Sequence, residues 1–426
     1  MFTFIRKGLM YHVKLFNKRT VYSSIIILLM FKAVSLHAQN KQINKIQRIS
    51  QAHNTANYSI TPSIEWTQLF NKQTGWTGGD GIYSISLPSD FKNNFIRKKS
   101  NNILFLFSDS IIDTLIDGKQ TDNGFTMIHN AVAILNSKNP KRDNIQFYWP
   151  QKNNKTPASV FIPSDIKDRQ GNPVEDSIYY WLGDGIAIKN KNKPLNKDTA
   201  LAIFAYKMTN VSNEAFGFKE IGNDLLLTDA NFSILKQIPL PKVSEGSLGA
   251  GIYQENVRHN KGKEENDNYV YIYGVRGIHK GLIVARSTIA DITNPKNWKY
   301  FNGQTWVSDI NQSQEVTSHV SNELSVTKIK EGKYALIYQL DGIQPYIGLK
   351  LAPTPYGPFG SMDTLWHCTE PTDKNKIIVY NAKAHPSLSS KGKLLISYNV
   401  NSLDFLNQLH SEPTFYRPRF LMITWK

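Results

Sequence analysis

From about residue 62 to the C-terminus, apolar positions cluster in short runs and show little recurrence at helical spacing. The runs Ile82–Leu87, Ile103–Phe107, Ala200–Tyr206, Tyr269–Val275, Leu324–Ile329, Tyr334–Gln339 and Leu394–Asn399 are rich in β-branched and aromatic residues and are bounded by Gly, Asn, Asp or Pro. That pattern predicts antiparallel strands joined by turns. No Pro/Gly-rich boundary divides the region, so one large all-β domain over 62–426 is expected, preceded by a polar linker or N-terminal arm at 39–61.

A repeating order is visible within it. Gly79-Asp80-Gly81 leads a strand whose partner ends at Ser108-Asp109, and Gly183-Asp184-Gly185 leads one whose partner ends near Asn210. Gly249-Ala250-Gly251 precedes Ile252-Tyr253, with Tyr269–Val275 ending at Arg276. Asn322-Glu323 opens a fourth unit, and His385-Pro386 opens a fifth that ends at Asn399. Units of about 70 residues match the four-stranded antiparallel blades of a β-propeller, here five-bladed. In an antiparallel hairpin the start of one strand and the end of its partner lie together. The polar residues of all five units should therefore ring one mouth of a central channel.

The first 38 residues read differently. Arg6, Lys7, Lys14, Lys18 and Arg19 precede the apolar run Val21–Phe31, and Ser35-Leu36-His37-Ala38 follows. A basic segment, a short apolar core and a terminal Ala describe a signal peptide, so a secreted or periplasmic protein is expected. The run falls short of the ~20 apolar residues of a membrane span. Loss of Met1–Ala38 would remove six Lys/Arg and no acid, lowering the formal charge from +16 to +10. The remaining lysines are dispersed through Asn-rich loops, and with export this argues against a nucleic-acid partner. The single Cys368 excludes an internal disulfide and Cys-rich zinc sites.

The acids carry the candidate chemistry. Asp80 and Asp109 bracket one hairpin, and Glu323 can face them from another unit. A carboxyl pair is what glycosidic hydrolysis uses, one group protonating the leaving oxygen and the other activating water or attacking the sugar carbon. Asp184 could orient substrate or tune a neighbouring carboxyl. Trp76 and Trp181, each a few residues before an Asp motif, could stack on sugar faces. Asn322, Asn381 and Asn399 offer amide contacts for hydroxyl groups, and Arg276, His385 and Arg417 offer cationic or hydrogen-bonding ones. A Gly-x-Ser-x-Gly elbow, a His-Glu-x-x-His pair and a phosphate-cradling loop are all absent from the sequence. No cofactor or metal is called for by any spacing, although a channel mouth lined with Asp could hold a structural Ca²⁺.

Taken in order, Gly78-Gly79-Asp80-Gly81, Leu104-Phe105-Leu106-Phe107-Ser108-Asp109, Asn322-Glu323-Leu324-Ser325-Val326, and Asn381–Pro386 with Tyr398-Asn399 resemble a family of secreted bacterial five-bladed β-propellers. That family was formerly a domain of unknown function and is related to endo-D-arabinanase-type glycoside hydrolases. The resemblance covers residues 62–426 and implies a glycoside hydrolase-like propeller. It places Asp80 and Asp109 at the positions of the family's essential carboxylates and Glu323 at that of its Glu-Leu-Ser-Val segment. The expectation is hydrolysis of an oligo- or polysaccharide, with two alternatives. One is a carbohydrate-binding propeller without turnover. The other is a polysaccharide lyase or glycoside phosphorylase, which would need Arg276, Arg417 or His385 to stabilise an anion.

Overall fold

The computed structural model describes residues 58–426 except 90, 92, 94–101, 122–123, 142–143, 153, 166, 168–170, 172–176, 190–198, 213, 215, 256–268, 371 and 373–375. The expected signal peptide at 1–38 and the linker as far as 57 lie outside the described residues.

The apolar runs pair as antiparallel sheets. The first comprises Tyr83–Ser86, Ile103–Phe107, Ala131–Leu135 and Ile145–Tyr148. The second has the longer strands Ile178–Lys189, Thr199–Asn210 and Phe218–Thr228, then Ile234–Pro239. Gly246–Gln254, Tyr269–Arg276, Gly281–Thr288, Lys299–Phe301 and Trp306–Val307 form the third. Leu324–Lys328, Tyr334–Gln339, Tyr346–Ala352 and Asp363–His367 form the fourth. The fifth joins Ile377–Ala384, Lys393–Ser402 and Arg419–Trp425 to an outermost strand from the other end of the chain, Tyr58–Pro62. Residues 58–61, grouped by sequence with the linker, thus complete a sheet. Tyr58 packs edge-on against Trp425, with ring centroids 5.2 Å apart.

The first strands of successive sheets lie side by side, first against second through to fourth against fifth. The turn Pro386–Leu388, after the last of them, returns against Tyr83–Ser86. Apolar clusters fill the spaces between sheets. Leu106, Tyr180 and Ile203 pack between the first and second, Phe204, Ile272 and Trp298 between the second and third, and Ile337, Val379 and Ile396 between the fourth and fifth. Sheets covered on both faces explain strands such as Ile103–Phe107 that are buried at every position.

A further small sheet, Thr74–Gly79 with Ser110–Ile116, Lys119–Gln120 and Thr126–Ile128, stands beside the first. It draws Trp76 away from the mouth. Trp76 is 1% exposed and stacks on Phe147 with centroids 4.7 Å apart, in a cluster with Phe70 and Phe107.

The fifth unit begins earlier than its sequence suggests. Its first strand is Ile377–Ala384, and His385-Pro386 follows that strand instead of opening it. The interruption by Asn381 and Lys383 hides the strand from an apolar-run criterion. His385 is fully buried between the last and first sheets, its Nδ1 2.9 Å from Ser84 Oγ and its Nε2 2.8 Å from Ser397 Oγ. Ser84 and Ser387 hydroxyls add a 3.1 Å contact across the same junction.

Burial, and then the nearby Lys383, depress the His385 pKa from 6.5 to about 3. The unfolded chain takes up this proton as pH falls below 6.5, while the folded chain resists it until about 3. His385 therefore contributes stability above pH 6.5 that is lost toward pH 3. His385→Gln should lower Tm at pH 7 and show a shallower further decline down to pH 4. Parallel Tm curves for the two proteins would contradict the buried neutral junction.

Candidate functional site

The antiparallel pairing that sets Tyr83 opposite Leu106 brings Asp80, before one strand, to Asp109, after the other. The Asp80 N–H donates to the Asp109 carbonyl at 3.1 Å, and the Ser108 N–H donates to the Asp80 carbonyl at 2.9 Å. The intervening Gly81 adopts φ +64°, and a Cβ there would lie 2.6 Å from Ser108 Oγ, so the tight approach requires glycine.

The two carboxyl groups have different surroundings. Tyr380 of the fifth sheet donates its hydroxyl to Asp80 Oδ2 at 2.6 Å. Burial first, and the charge of Asp109 second, push the Asp80 pKa up to about 7 against the opposing effect of this hydrogen bond. Asp109 Oδ1 accepts from Trp181 Nε1 at 2.8 Å and lies 2.9 Å from His129 Nδ1, which donates when protonated. The His129 ring stacks on Tyr179 at 3.7 Å. Asp109 is thus held by Trp181 of the second sheet and by His129, in the link between Thr126–Ile128 and Ala131–Leu135.

Glu323 ends the approach to the fourth sheet. Its Oε1 accepts from Asn381 Nδ2 at 2.7 Å, and its Oε2 is 2.5 Å from Lys383 Nζ. Lys383 is only 1% exposed. Its ammonium also donates to the Asn381 carbonyl at 3.1 Å and sits 4.6 Å from the Tyr83 ring centroid. A bulge between Tyr380 and Lys383, with Asn381 in the left-handed region at φ +60°, aims these side chains inward. Burial raises the Glu323 pKa, and Lys383 opposes the rise.

Asp184 lies in another bulge, between Leu182 and Gly185. Its Oδ1 accepts from the Gly185 N–H and its Oδ2 from the Ile252 N–H, both at 2.8 Å, so it ties the second sheet to the third. Burial raises it to about 7 despite those two bonds and the positive Lys383. A Cβ at the adjoining Gly183 would approach the Gly249 carbonyl oxygen to 2.7 Å, which is why these strands carry glycine at the crossing.

The other sequence-derived candidates occupy varied places. Trp181 adjoins Asp109, whereas Trp76 is in the aromatic core described above. Asn399 is buried and donates to the Gly79 carbonyl at 3.4 Å, one residue from Asp80. Asn322 is exposed and accepts from Lys280 at 2.9 Å. Arg276 is engaged by Glu315 at 3.1 Å and by Ser313. Arg417 is buried and spends its guanidinium on the Thr77 and Lys72 carbonyls and on Asn71. His385 has both ring nitrogens bonded at the sheet junction. The site residues that sequence reasoning did not single out are His129 and Lys383, together with the role of Tyr380. A lysine set between alanines in a strand, Ala382-Lys383-Ala384, was the available signal.

The first strands of all five sheets line a channel of about 820 Å³; Asp184 is part of its wall, whereas Asp80, Asp109 and Glu323 are not. Asp184 and Lys383 border it near Tyr83, while Gln254, Glu255 and Lys328 line its far part. Among the described residues no group of three His, Cys, Asp or Glu side chains is placed to hold a metal ion. Nor is any helix among them long and apolar enough to cross a membrane.

A family model described as a domain of unknown function (DUF5005) matches residues 64–425. No curated protein matches the sequence. Among solved structures, a Bacteroides ovatus protein provisionally titled a hydrolase is 19% identical, with TM-score 0.63, over 85% of this chain and 90% of that one. That likeness shows a shared fold. More distant are an exo-β-1,3-galactanase from Phanerochaete chrysosporium, 10% identical with TM-score 0.42 over 85% of this chain and 64% of that one, and a GH62 hydrolase solved with xylotriose, 8% identical with TM-score 0.41 over 86% and 96%.

The Glu323–Lys383 pair makes a direct prediction. Lys383→Met leaves a buried carboxyl without its cation and should cost about 3–5 kcal/mol in urea unfolding. Adding Glu323→Gln should recover most of that loss. A double variant as unstable as Lys383→Met would show that the lysine acts through packing alone.

Proposed function

This chain belongs to the DUF5005 family, and on that premise we propose that it is a glycoside hydrolase acting on an oligo- or polysaccharide. In this reading the five sheets are the blades of a five-bladed propeller, and the protein is exported through its N-terminal segment to the periplasm or beyond. The kinship with endo-D-arabinanase-type enzymes belongs to the same proposal.

The observation that carries it is the pairing of Asp80 and Asp109 in contrasting environments, Asp80 standing three residues before the channel-lining Tyr83. Asp80, raised to about 7, holds a proton near neutral pH and suits protonation of the leaving oxygen. Asp109, oriented by Trp181 and His129, is the carboxylate that activates water or attacks the sugar carbon. Glu323 assists from the fourth sheet, its charge balanced by Lys383. Asn381, bound to Glu323, and Asn399, beside Gly79, shape the surrounding wall. The lyase and phosphorylase alternatives lose support because Arg276, Arg417 and His385 are all committed to protein partners.

Reducing-sugar release from a panel of plant, algal and mycobacterial glycans tests this reading. Asp80→Asn and Asp109→Asn should each lower turnover by at least about 10²-fold. Activity of the wild type should fall as pH rises through about 7, where Asp80 loses its proton. Release that persists in both variants would overturn the assignment, and binding without release would identify a carbohydrate-binding propeller.

A further inference from the structure

The second sheet reaches past the carboxyl pair, and one of its faces carries aromatic rings in sequence away from Asp109. Tyr179 and Trp181 alternate with Tyr180 along Ile178–Lys189, so they share a face. Tyr180 points the other way and is buried, its hydroxyl 2.5 Å from Asp224. Tyr179 lies against His129, and Trp181 against Asp109 itself. Across the sheet, Phe218 meets Trp181 edge-on with centroids 4.6 Å apart, and Phe216 continues the line 6.2 Å beyond. Phe216 is 55% exposed.

Burying these rings in the core would have been the low-cost arrangement, and the neighbouring Tyr180 does so. Tyr179, on the same face as Trp181, is buried as well, but Trp181 and Phe218 are half-buried and Phe216 is exposed, so these three rings extend outward from a hydrogen bond to a site carboxyl. Aromatic faces and edges at such spacing suit the C–H faces of successive sugar rings, while the Asp109 end supplies polar contacts. The ledge is continuous with the carboxyl pair, so its occupant is the same chain that the pair would cleave.

We infer that Trp181, Phe218 and Phe216 form a binding ledge for an extended glycan chain, making the substrate class an oligomer or polymer of several sugars. This rests on the hydrolase reading above. Binding energy gathered on the ledge, away from the reacting bond, positions the chain against Asp109. A short substrate cannot reach Phe216 and gains nothing from it.

The test uses arabino-, xylo- and galacto-oligosaccharides of two to six units with the full-length protein. Wild-type kcat/KM should rise with chain length. Phe216→Ala, at an exposed position, should cut the six-unit to two-unit ratio of kcat/KM about 3–10-fold, and Phe218→Ala should do so comparably. An unchanged ratio in Phe216→Ala, or a wild-type rate independent of length, would overturn the ledge. If the wild type cleaves none of these sugars, calorimetric binding of the six-unit chains separates the two claims. Weaker binding by Phe216→Ala upholds the ledge while the hydrolase reading fails for these glycans. Equal binding by both proteins, or binding by neither, overturns the ledge.

Discussion

The buried cation Lys383 organises the centre of this molecule. Lys383 sits on the first strand of the fifth sheet, is 1% exposed, and contacts Glu323 of the fourth sheet and the Tyr83 ring of the first. It also offsets part of the burial cost of Asp184 in the second sheet. Several acids gathered in a low-dielectric space repel one another, and without a counter-charge they would be driven to the neutral form. Lys383 lets Glu323 be buried at the centre, beside the start of the fourth sheet's first strand. A Lys at this point requires the Asn381 bulge, because a regular strand would turn that side chain toward the neighbouring sheet.

Much of the β architecture was legible because burial on both faces produces apolar runs that are short, rich in β-branched and aromatic residues and bounded by turn residues, which separates them from helices. Ile103–Phe107 and Tyr334–Gln339 are buried at every position. The Asp80–Asp109 proximity followed from hairpin geometry alone. What escaped was set by interruptions and by long-range packing. The strand Ile377–Ala384 carries Asn381 and Lys383 in its middle, so the fifth unit was placed several residues too late. His385 then appeared at a strand start when it is a buried junction between sheets.

The two tryptophans show the limit of local motifs. Trp76 and Trp181 each precede an Asp motif, but Thr74–Gly79 leaves to pair with Ser110–Ile116, while Trp181 stays on a first strand that reaches the mouth. Only tertiary pairing distinguishes them. His129 likewise gave no signal, because its contact with Asp109 joins strand ends 20 residues apart through a small sheet that the apolar pattern did not reveal. The charge excess of +16, conspicuous in the composition, proves secondary to one lysine and a few acids.

The central claim is that Asp80 and Asp109 form an electrostatically coupled pair in which Asp80 keeps its proton to near-neutral pH. Carbon-13 NMR titration of the Asp80 carboxyl in wild type and Asp109→Asn addresses it directly. The account predicts a wild-type midpoint near 7 that moves downward when the Asp109 charge is removed. A midpoint close to the ordinary 3.8, or one indifferent to Asp109, would contradict it.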